Sequence, residues 1–235
     1  MKDQAGRTID YMRISLTDRC NLRCRYCMPH DIKKIEMSQL LNYEEIVLIA
    51  KCAVELGIVN FKLTGGEPLV RKNVPVLVEM LKAIPGVKTV TITTNGTLLS
   101  SYAQELKKAG LDGINKKIYP TKSSSRELSE TDQKTMKIEN TFPLSSVLEG
   151  IKAVQQAEIP VKLNTVNRRD LDWKTILSYA KDQHLVVRFI EMMPIGYGSS
   201  FAGMPQEKIM NLVEQKFGKI TVETCEVDGV EIEGL

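Results

Sequence analysis

The sequence predicts an α/β fold, a partial (βα)6 TIM-like barrel, on three observations. Short β-branched runs alternate with helical runs, as in repeated βα units that form a parallel sheet with helices outside. Glycines stand directly after two of the helical runs, at Gly57 and Gly110, where helices commonly end. The most distinctive polar residues follow strands rather than helices, which is typical of sites at the carboxyl ends of parallel strands.

Each predicted unit is a strand followed by a helix. The strands are predicted at residues 11–15, 60–64, 89–93, 113–119, 160–165 and 186–190. The helices are predicted at residues 43–56, 74–83, 100–109, 145–156, 173–183 and 206–216. The run at 89–93 is β-branched throughout, which favours a strand. In the first helix, apolar residues recur at helical spacing and predict one buried face, formed by Ile46, Ile49, Ala50, Ala53 and Leu56.

Composition predicts one domain, residues 1–235, with an irregular insert at about 116–141. A chain of 235 residues with 43% hydrophobic and 26% charged residues is long enough to bury a full core. The net charge of +3 does not suggest nucleic-acid binding. The chain shows neither a signal peptide nor an apolar run that could span a bilayer, so we expect a cytoplasmic protein without membrane partners.

Three cysteines in a C-x3-C-x2-C run, Cys20, Cys24 and Cys27, are the most informative feature of the sequence. Three thiolates can bind three irons of a [4Fe-4S] cluster and leave the fourth iron free to bind a substrate or cofactor. Two alternatives stay open on spacing alone. The cysteines could be packing residues, or they could join His30 in a structural Cys3His zinc site.

Four runs together resemble the GTP 3′,8-cyclase family of radical S-adenosylmethionine enzymes. They stand at residues 18–29, 63–69, 93–96 and 187–194, and the resemblance extends from about Arg7 to about Phe217. It implies a [4Fe-4S] cluster, S-adenosyl-L-methionine (SAM), and a lyase reaction on GTP in molybdenum cofactor biosynthesis. It also implies a one-electron donor such as flavodoxin or ferredoxin, and it allows a homodimer.

The resemblance assigns roles to individual residues. The implied cluster ligands are Cys20, Cys24 and Cys27. The residues implied to contact SAM are Tyr26, Gly66 and Met193. The residues implied to hold GTP are Arg13, Lys62, Thr93, Lys162 and Arg188. Lys62 stands where the family has arginine, which keeps the charge but loses the bidentate fork.

The sequence departs from the family in two places. Lys117 stands where the family has a serine that contacts SAM. Side chains alternate along a strand, so Lys117 would enter the barrel and Lys116 would meet the helices. Because an unpaired buried ammonium is costly, either Lys117 pairs with a bound carboxylate or phosphate, or the strand is short and frayed. The irregular polar stretch that follows at once favours fraying. The family also has a second cluster held by three further cysteines, which Cys52 and Cys225 cannot supply. A radical enzyme with another substrate and a truncated, non-catalytic relative therefore stay open.

Overall fold

Six parallel strands form a single sheet in a computed structural model of the chain, and they lie side by side in chain order. The structure describes residues 2–22, 24, 27, 35–117, 144–169, 171–193, 199–200, 202–221, 223–227 and 230–234. The strands of the sheet are β1 (Tyr11–Ser15), β2 (Asn60–Thr64), β3 (Thr89–Thr94), β4 (Gly113–Lys117), β5 (Val161–Asn167) and β6 (Val186–Glu191). Sequential parallel strands confirm the predicted α/β architecture.

A helix follows each strand. The six helices are α1 (Tyr43–Glu55), α2 (Val74–Lys82), α3 (Leu99–Lys108), α4 (Leu144–Gln156), α5 (Trp173–Asp182) and α6 (Gln206–Phe217). Two short 3-10 helices occur at Met37–Gln39 and Pro68–Val70. An antiparallel pair near the chain end, β7 (Glu223–Val227) with β8 (Val230–Gly234), was not predicted from the sequence.

The two faces of the sheet differ sharply in chemistry. One face is apolar at its centre, where Phe61, Leu63, Val90, Ile92 and Leu163 are all 0% exposed, and it also carries the buried polar side chains of Thr94 and Lys116. Because side chains alternate along each strand, the intervening residues point to the opposite, inner face. On that face the register places Arg13 beside Lys62, and Lys62 beside Thr91. The hydrophobic core therefore lies between the sheet and the helices, and the inner face is left for polar groups.

Helix α1 shows how the sequence sets one of these helices. Asn42 and Glu45 form a capping box: Glu45 N donates to Asn42 Oδ1 at 2.8 Å, and Asn42 N donates to Glu45 Oε2 at 2.7 Å. The predicted buried face was partly wrong, because Ile49 is 43% and Leu56 is 60% exposed. Ile46, Ala50 and Ala53 are its fully buried residues, and Val47 and Val54 pack against the core while partly exposed.

Strand β4 is regular as far as Lys117, so the expectation of a frayed strand was wrong. Lys116 pairs with Thr94 of β3, and Lys117 pairs with Asn164 of β5. Hydrogen bonds to the strands on both sides hold the β4 backbone in place, despite the desolvation cost of its lysine side chains. The irregular insert was predicted from residue 116, but residues 116 and 117 belong to β4; residues 118–143 lie outside the described residues.

An ion pair lies at the amino-terminal side of the sheet, at the end opposite to the cysteines. Lys82 at the end of α2 donates to both carboxylate oxygens of Asp112, at 3.0 and 2.9 Å. Asp112 also accepts a hydrogen bond from the Val90 backbone N–H at 2.6 Å. This cluster joins α2, β3 and the approach to β4.

Candidate functional site

The cysteine triplet lies in the loop after β1, at the carboxyl end of the sheet. Cys20 and Cys24 are half-buried, and Cys27 is exposed. The Cys27 N–H donates to the Cys24 carbonyl at 2.9 Å, so these two cysteines share one turn. Tyr26 and His30 lie outside the described residues.

A glycine turn after β2 is docked directly on the segment that leads to the triplet. Gly66 N donates to the Thr17 carbonyl at 2.7 Å, and Glu67 N donates to the Arg19 carbonyl at 2.8 Å. A Cβ at Gly66 would overlap the backbone of Arg19 and lie 2.8 Å from the Asp18 carbonyl oxygen. Gly65 has a φ of 140°, and a Cβ there would overlap the Thr17 carbonyl oxygen. Only glycine permits this approach.

Glu67 joins the glycine turn to the turn after β3. The Glu67 carboxylate is 1% exposed and accepts from Thr94 Oγ1 at 2.7 Å, Asn95 N at 2.6 Å and Leu69 N at 3.2 Å. Burial raises the pKa of Glu67, and the hydrogen bonds from Asn95 and Thr94 oppose that rise. Asn95 in turn lies against the cysteine loop, with its Nδ2 3.8 Å from Cys20 Sγ. The loops after β1, β2 and β3 therefore form one hydrogen-bonded unit.

Cationic side chains gather on the inner face of the sheet. The strand registers place on that face Arg13 of β1, Lys62 of β2, Lys117 of β4, Lys162 of β5 and Arg188 of β6. Within the described strands β1 to β6, no aspartate or glutamate shares this face. Thr93 of β3, also predicted to hold the substrate, lies half-buried on the same face. An interior with positive charge on five strands suits a polyanionic ligand.

Neighbouring groups orient two of these cations. Arg188 Nη1 donates to Asn115 Oδ1 at 3.3 Å, and Asn115 is only 6% exposed. Lys62 Nζ lies 5.4 Å from the centre of the Tyr11 ring, within the range of a cation–π contact. Asn115 and Tyr11 were not predicted to contact these cations, because neither belongs to a charged or cysteine-rich motif.

Lys116 points to the opposite face and is 2% exposed, as alternation requires. Its Nζ donates to the Lys117 carbonyl oxygen. Its stem passes beneath the turn after β3, where a Cβ at Gly96 would overlap Lys116 Cε. Burial lowers the pKa of Lys116 to about 7, although the negative charges of Glu67 and Cys24 act in the other direction.

Comparison with known proteins decides the family. The family model described as the Radical SAM superfamily matches residues 14–182. The chain is a member of the radical SAM superfamily. Within it the chain belongs to the GTP 3′,8-cyclase family. The protein of that name from Petrotoga mobilis is 40% identical over 230 residues, which cover 94% of this chain and 68% of the relative. The one from Moorella thermoacetica is 41% identical over 224 residues, which cover 92% and 67%.

Solved structures support the same fold. The complex of anSMEcpe with AdoMet and a peptide matches with a TM-score of 0.62 at 16% identity, over 88% of this chain and 58% of that one. Methylornithine synthase matches with a TM-score of 0.61 at 15% identity, over 90% of this chain and 63% of that one. The predicted partial TIM-like barrel of the radical SAM type is thus confirmed.

As a radical SAM enzyme the chain uses a [4Fe-4S] cluster and SAM, and its cysteine loop fits the cluster. No three His, Cys, Asp or Glu side chains among the described residues surround a single ion position. A cubane cluster differs from such a site because each thiolate binds a different iron. Burial raises the pKa of Cys24 to about 11, helped by negative charge on Cys27 and Cys20. Iron supplies the positive charge that favours three neighbouring thiolates.

The remaining predicted residues have differing placements. Gly66 lies in the docked turn beside the cysteine loop. Met193 follows β6 and is 64% exposed. None of the helices in the described residues has the length and apolar character to cross a membrane.

Proposed function

We propose that this chain is a GTP 3′,8-cyclase-type lyase, which converts GTP to (8S)-3′,8-cyclo-7,8-dihydroguanosine 5′-triphosphate in molybdopterin cofactor biosynthesis. Its cysteine ligands are Cys20, Cys24 and Cys27. The single observation that carries the proposal is the inner face of the described strands β1 to β6, which has cations on five strands and no acidic side chain. The names of the relatives support the choice of nucleotide. The chain spans about two thirds of their length, so the activity of the whole relatives is part of the proposal.

Two pairs of cations on the inner face bind different parts of the triphosphate in this proposal. Arg13 and Lys62 are register neighbours on β1 and β2, and we assign to them one part of the phosphate chain. Lys162 and Arg188 lie on β5 and β6 and hold another part. Asn115 fixes the Arg188 guanidinium before the ligand arrives, which reduces the entropy lost on binding. Thr93, between these groups, has a hydroxyl to offer the nucleoside.

The carboxyl ends of the first three strands bind the cofactors. Held by Cys20, Cys24 and Cys27, a reduced cluster would supply the single electron that cleaves SAM, and this cleavage would provide the radical chemistry of the reaction. Gly66, in the turn that packs on the cysteine loop, and Tyr26 and Met193 are the residues that we assign to SAM. A donor of the flavodoxin or ferredoxin class completes the system in the cytoplasm, and a homodimer is its proposed assembly.

The test is anaerobic reconstitution followed by measurement of 5′-deoxyadenosine and of the cyclised nucleotide by mass spectrometry. We expect GTP, and neither guanosine nor a peptide, to stimulate SAM cleavage. Lys162→Gln should weaken GTP binding about tenfold or more, since it removes one charge-assisted contact. Lys51→Gln, on the exposed side of α1, is the matched control.

Two outcomes would replace the proposal. SAM cleavage that responds to another molecule but not to GTP would identify a radical enzyme with a different substrate. Binding of GTP or SAM without any 5′-deoxyadenosine would identify a non-catalytic relative, which is the alternative that Lys117 in place of the family serine favours.

A further inference from the structure

Three polar side chains form a closed ring of hydrogen bonds beside the cysteine loop. Asn95 Nδ2 donates to Asn21 Oδ1 at 2.8 Å, and Asn21 Nδ2 donates to Thr97 Oγ1 at 2.8 Å. The Thr97 hydroxyl closes the ring by donating to Asn95 Oδ1, also at 2.8 Å. We call this set the Asn21–Asn95–Thr97 ring. It connects residues more than seventy positions apart, from the loops after β1 and β3.

The ring has only one consistent direction of donation. The Thr97 backbone N–H donates to Asn95 Oδ1 at 3.0 Å, and a backbone N–H cannot accept. This bond identifies the Asn95 carbonyl oxygen, so the Asn95 NH2 group must lie on the other side of the amide. That NH2 group faces Asn21 Oδ1 and, at 3.8 Å, Cys20 Sγ.

The backbone of Asn95 is held as firmly as its side chain. Its N–H donates to Glu67 Oε2 at 2.6 Å, and the Glu67 carboxylate is buried. Glu67 N is bonded to the Arg19 carbonyl, one residue before Cys20. Asn95 and Cys20 are therefore fixed relative to each other along two separate paths, one through the ring and one through Glu67.

We propose that Asn95 is a positioning residue of the cluster site, whose NH2 group donates to the Cys20 thiolate and raises the reduction potential of the cluster. The added electron of the reduced cluster increases the negative charge on its sulfur ligands. A donor aimed at one of them therefore stabilises the reduced form more than the oxidised form. The inference concerns the cluster alone, so it stands or fails independently of GTP as the substrate.

The test is the midpoint potential of the reconstituted protein without SAM, from reductive titration followed by electron paramagnetic resonance at one pH. Asn95→Leu removes the donor while keeping the branched shape and adding no charge. Loss of one hydrogen bond to a charged sulfur should change the ratio of reduced to oxidised cluster about tenfold, a potential lower by about 59 mV for one electron.

Two variants at Thr97 test the ring without touching the amide itself. Thr97→Val loses the hydroxyl that links Asn21 to Asn95 but keeps the backbone donor, so we expect a smaller decrease in potential than for Asn95→Leu. Thr97→Ser keeps the hydroxyl and should match the wild type. Iron and acid-labile sulfide are counted in every variant, and potentials are compared between proteins of equal content.

The measured potentials of the three variants either support or overturn the proposal. An ordered series, with Thr97→Ser equal to wild type, Thr97→Val lower and Asn95→Leu lowest, supports the proposal. A wild-type potential in Asn95→Leu at full cluster content overturns it, because a merely structural residue would leave the potential where it was. If Asn95→Leu holds no cluster, Thr97→Val decides, and an unchanged potential there overturns the proposal.

Discussion

Replacing the buried Lys116 by methionine should stabilise the protein, and should do so more at acid than at alkaline pH. Methionine keeps an unbranched stem beneath the Gly96 turn and removes the ammonium. The ammonium is costly because Lys116 is 2% exposed and has no acidic partner at ion-pair distance among the described residues.

The magnitude follows from the pKa. Burial lowers the pKa of Lys116 from 10.5 to about 7. At about 1.36 kcal/mol per pKa unit, the whole shift corresponds to about 5 kcal/mol of destabilisation when both states are charged. Below pH 7 the penalty is fully present. Between pH 7 and 10.5 the unfolded chain binds more protons than the folded one, so stability rises with pH and the penalty fades.

The assay is denaturant unfolding of the wild type and of Lys116→Met under reducing conditions, at about pH 6 and about pH 9. With these two pKa values, proton linkage predicts that the unfolding free energy of the wild type rises by about 3 kcal/mol from pH 6 to pH 9. The Lys116→Met variant lacks this contribution because methionine does not titrate. The advantage of Lys116→Met should therefore be about 3 kcal/mol larger at the lower pH. Lys51→Met, at an exposed site on α1, controls for loss of a surface ammonium. A pH-independent difference, or a less stable variant at the lower pH, would refute the reasoning.

Three further substitutions test other parts of the structure. Gly66→Ala should abolish cluster retention and lower the melting temperature, because the added Cβ meets backbone of residues 18 and 19; full iron and sulfide content would contradict this. Cys24→Ser should lose iron, whereas Cys52→Ser, at an exposed thiol on α1, should keep it, as iron analysis would show. Asp112→Ala removes the carboxylate that pairs with Lys82 and accepts from the Val90 N–H, while Lys82 keeps its bond to the Lys88 carbonyl, so the unfolding free energy should fall by about 2 kcal/mol, with cluster content unchanged.

Local patterns in the sequence were sufficient for most of the barrel. The runs at 11–15 and 60–64 became β1 and β2 with the predicted bounds, because β-branched and alternating patterns act over a few neighbouring residues. The positions of the cysteine loop and of the two turns followed from the rule for parallel sheets. The prediction for strand β4 was wrong because it considered the desolvation cost of one lysine side chain. It did not include the pairing of β4 with both neighbouring strands.

The hydrogen bonds that complete the site could not be predicted. Asn21 and Thr97 are 76 positions apart, and each is an ordinary polar residue in its own segment. Asn115 orients Arg188 only because β5 lies between their strands and the inner face brings them within reach. Such pairs depend on register and on the orientation of an amide, which no spacing rule describes.

Lys116 and Asn95 contact the turn after β3 from opposite sides. The first affects the stability of the fold, and we propose that the second affects the reduction potential of the cluster. The Lys116 stem occupies the space that a side chain at Gly96 would need, so the buried lysine supports the turn from the helix side. Asn95, one residue earlier, faces the cysteine loop. A substitution at Gly96 would disturb both effects together. The two effects can be measured separately. Lys116→Met changes the unfolding free energy as a function of pH, and Asn95→Leu changes the reduction potential of the cluster.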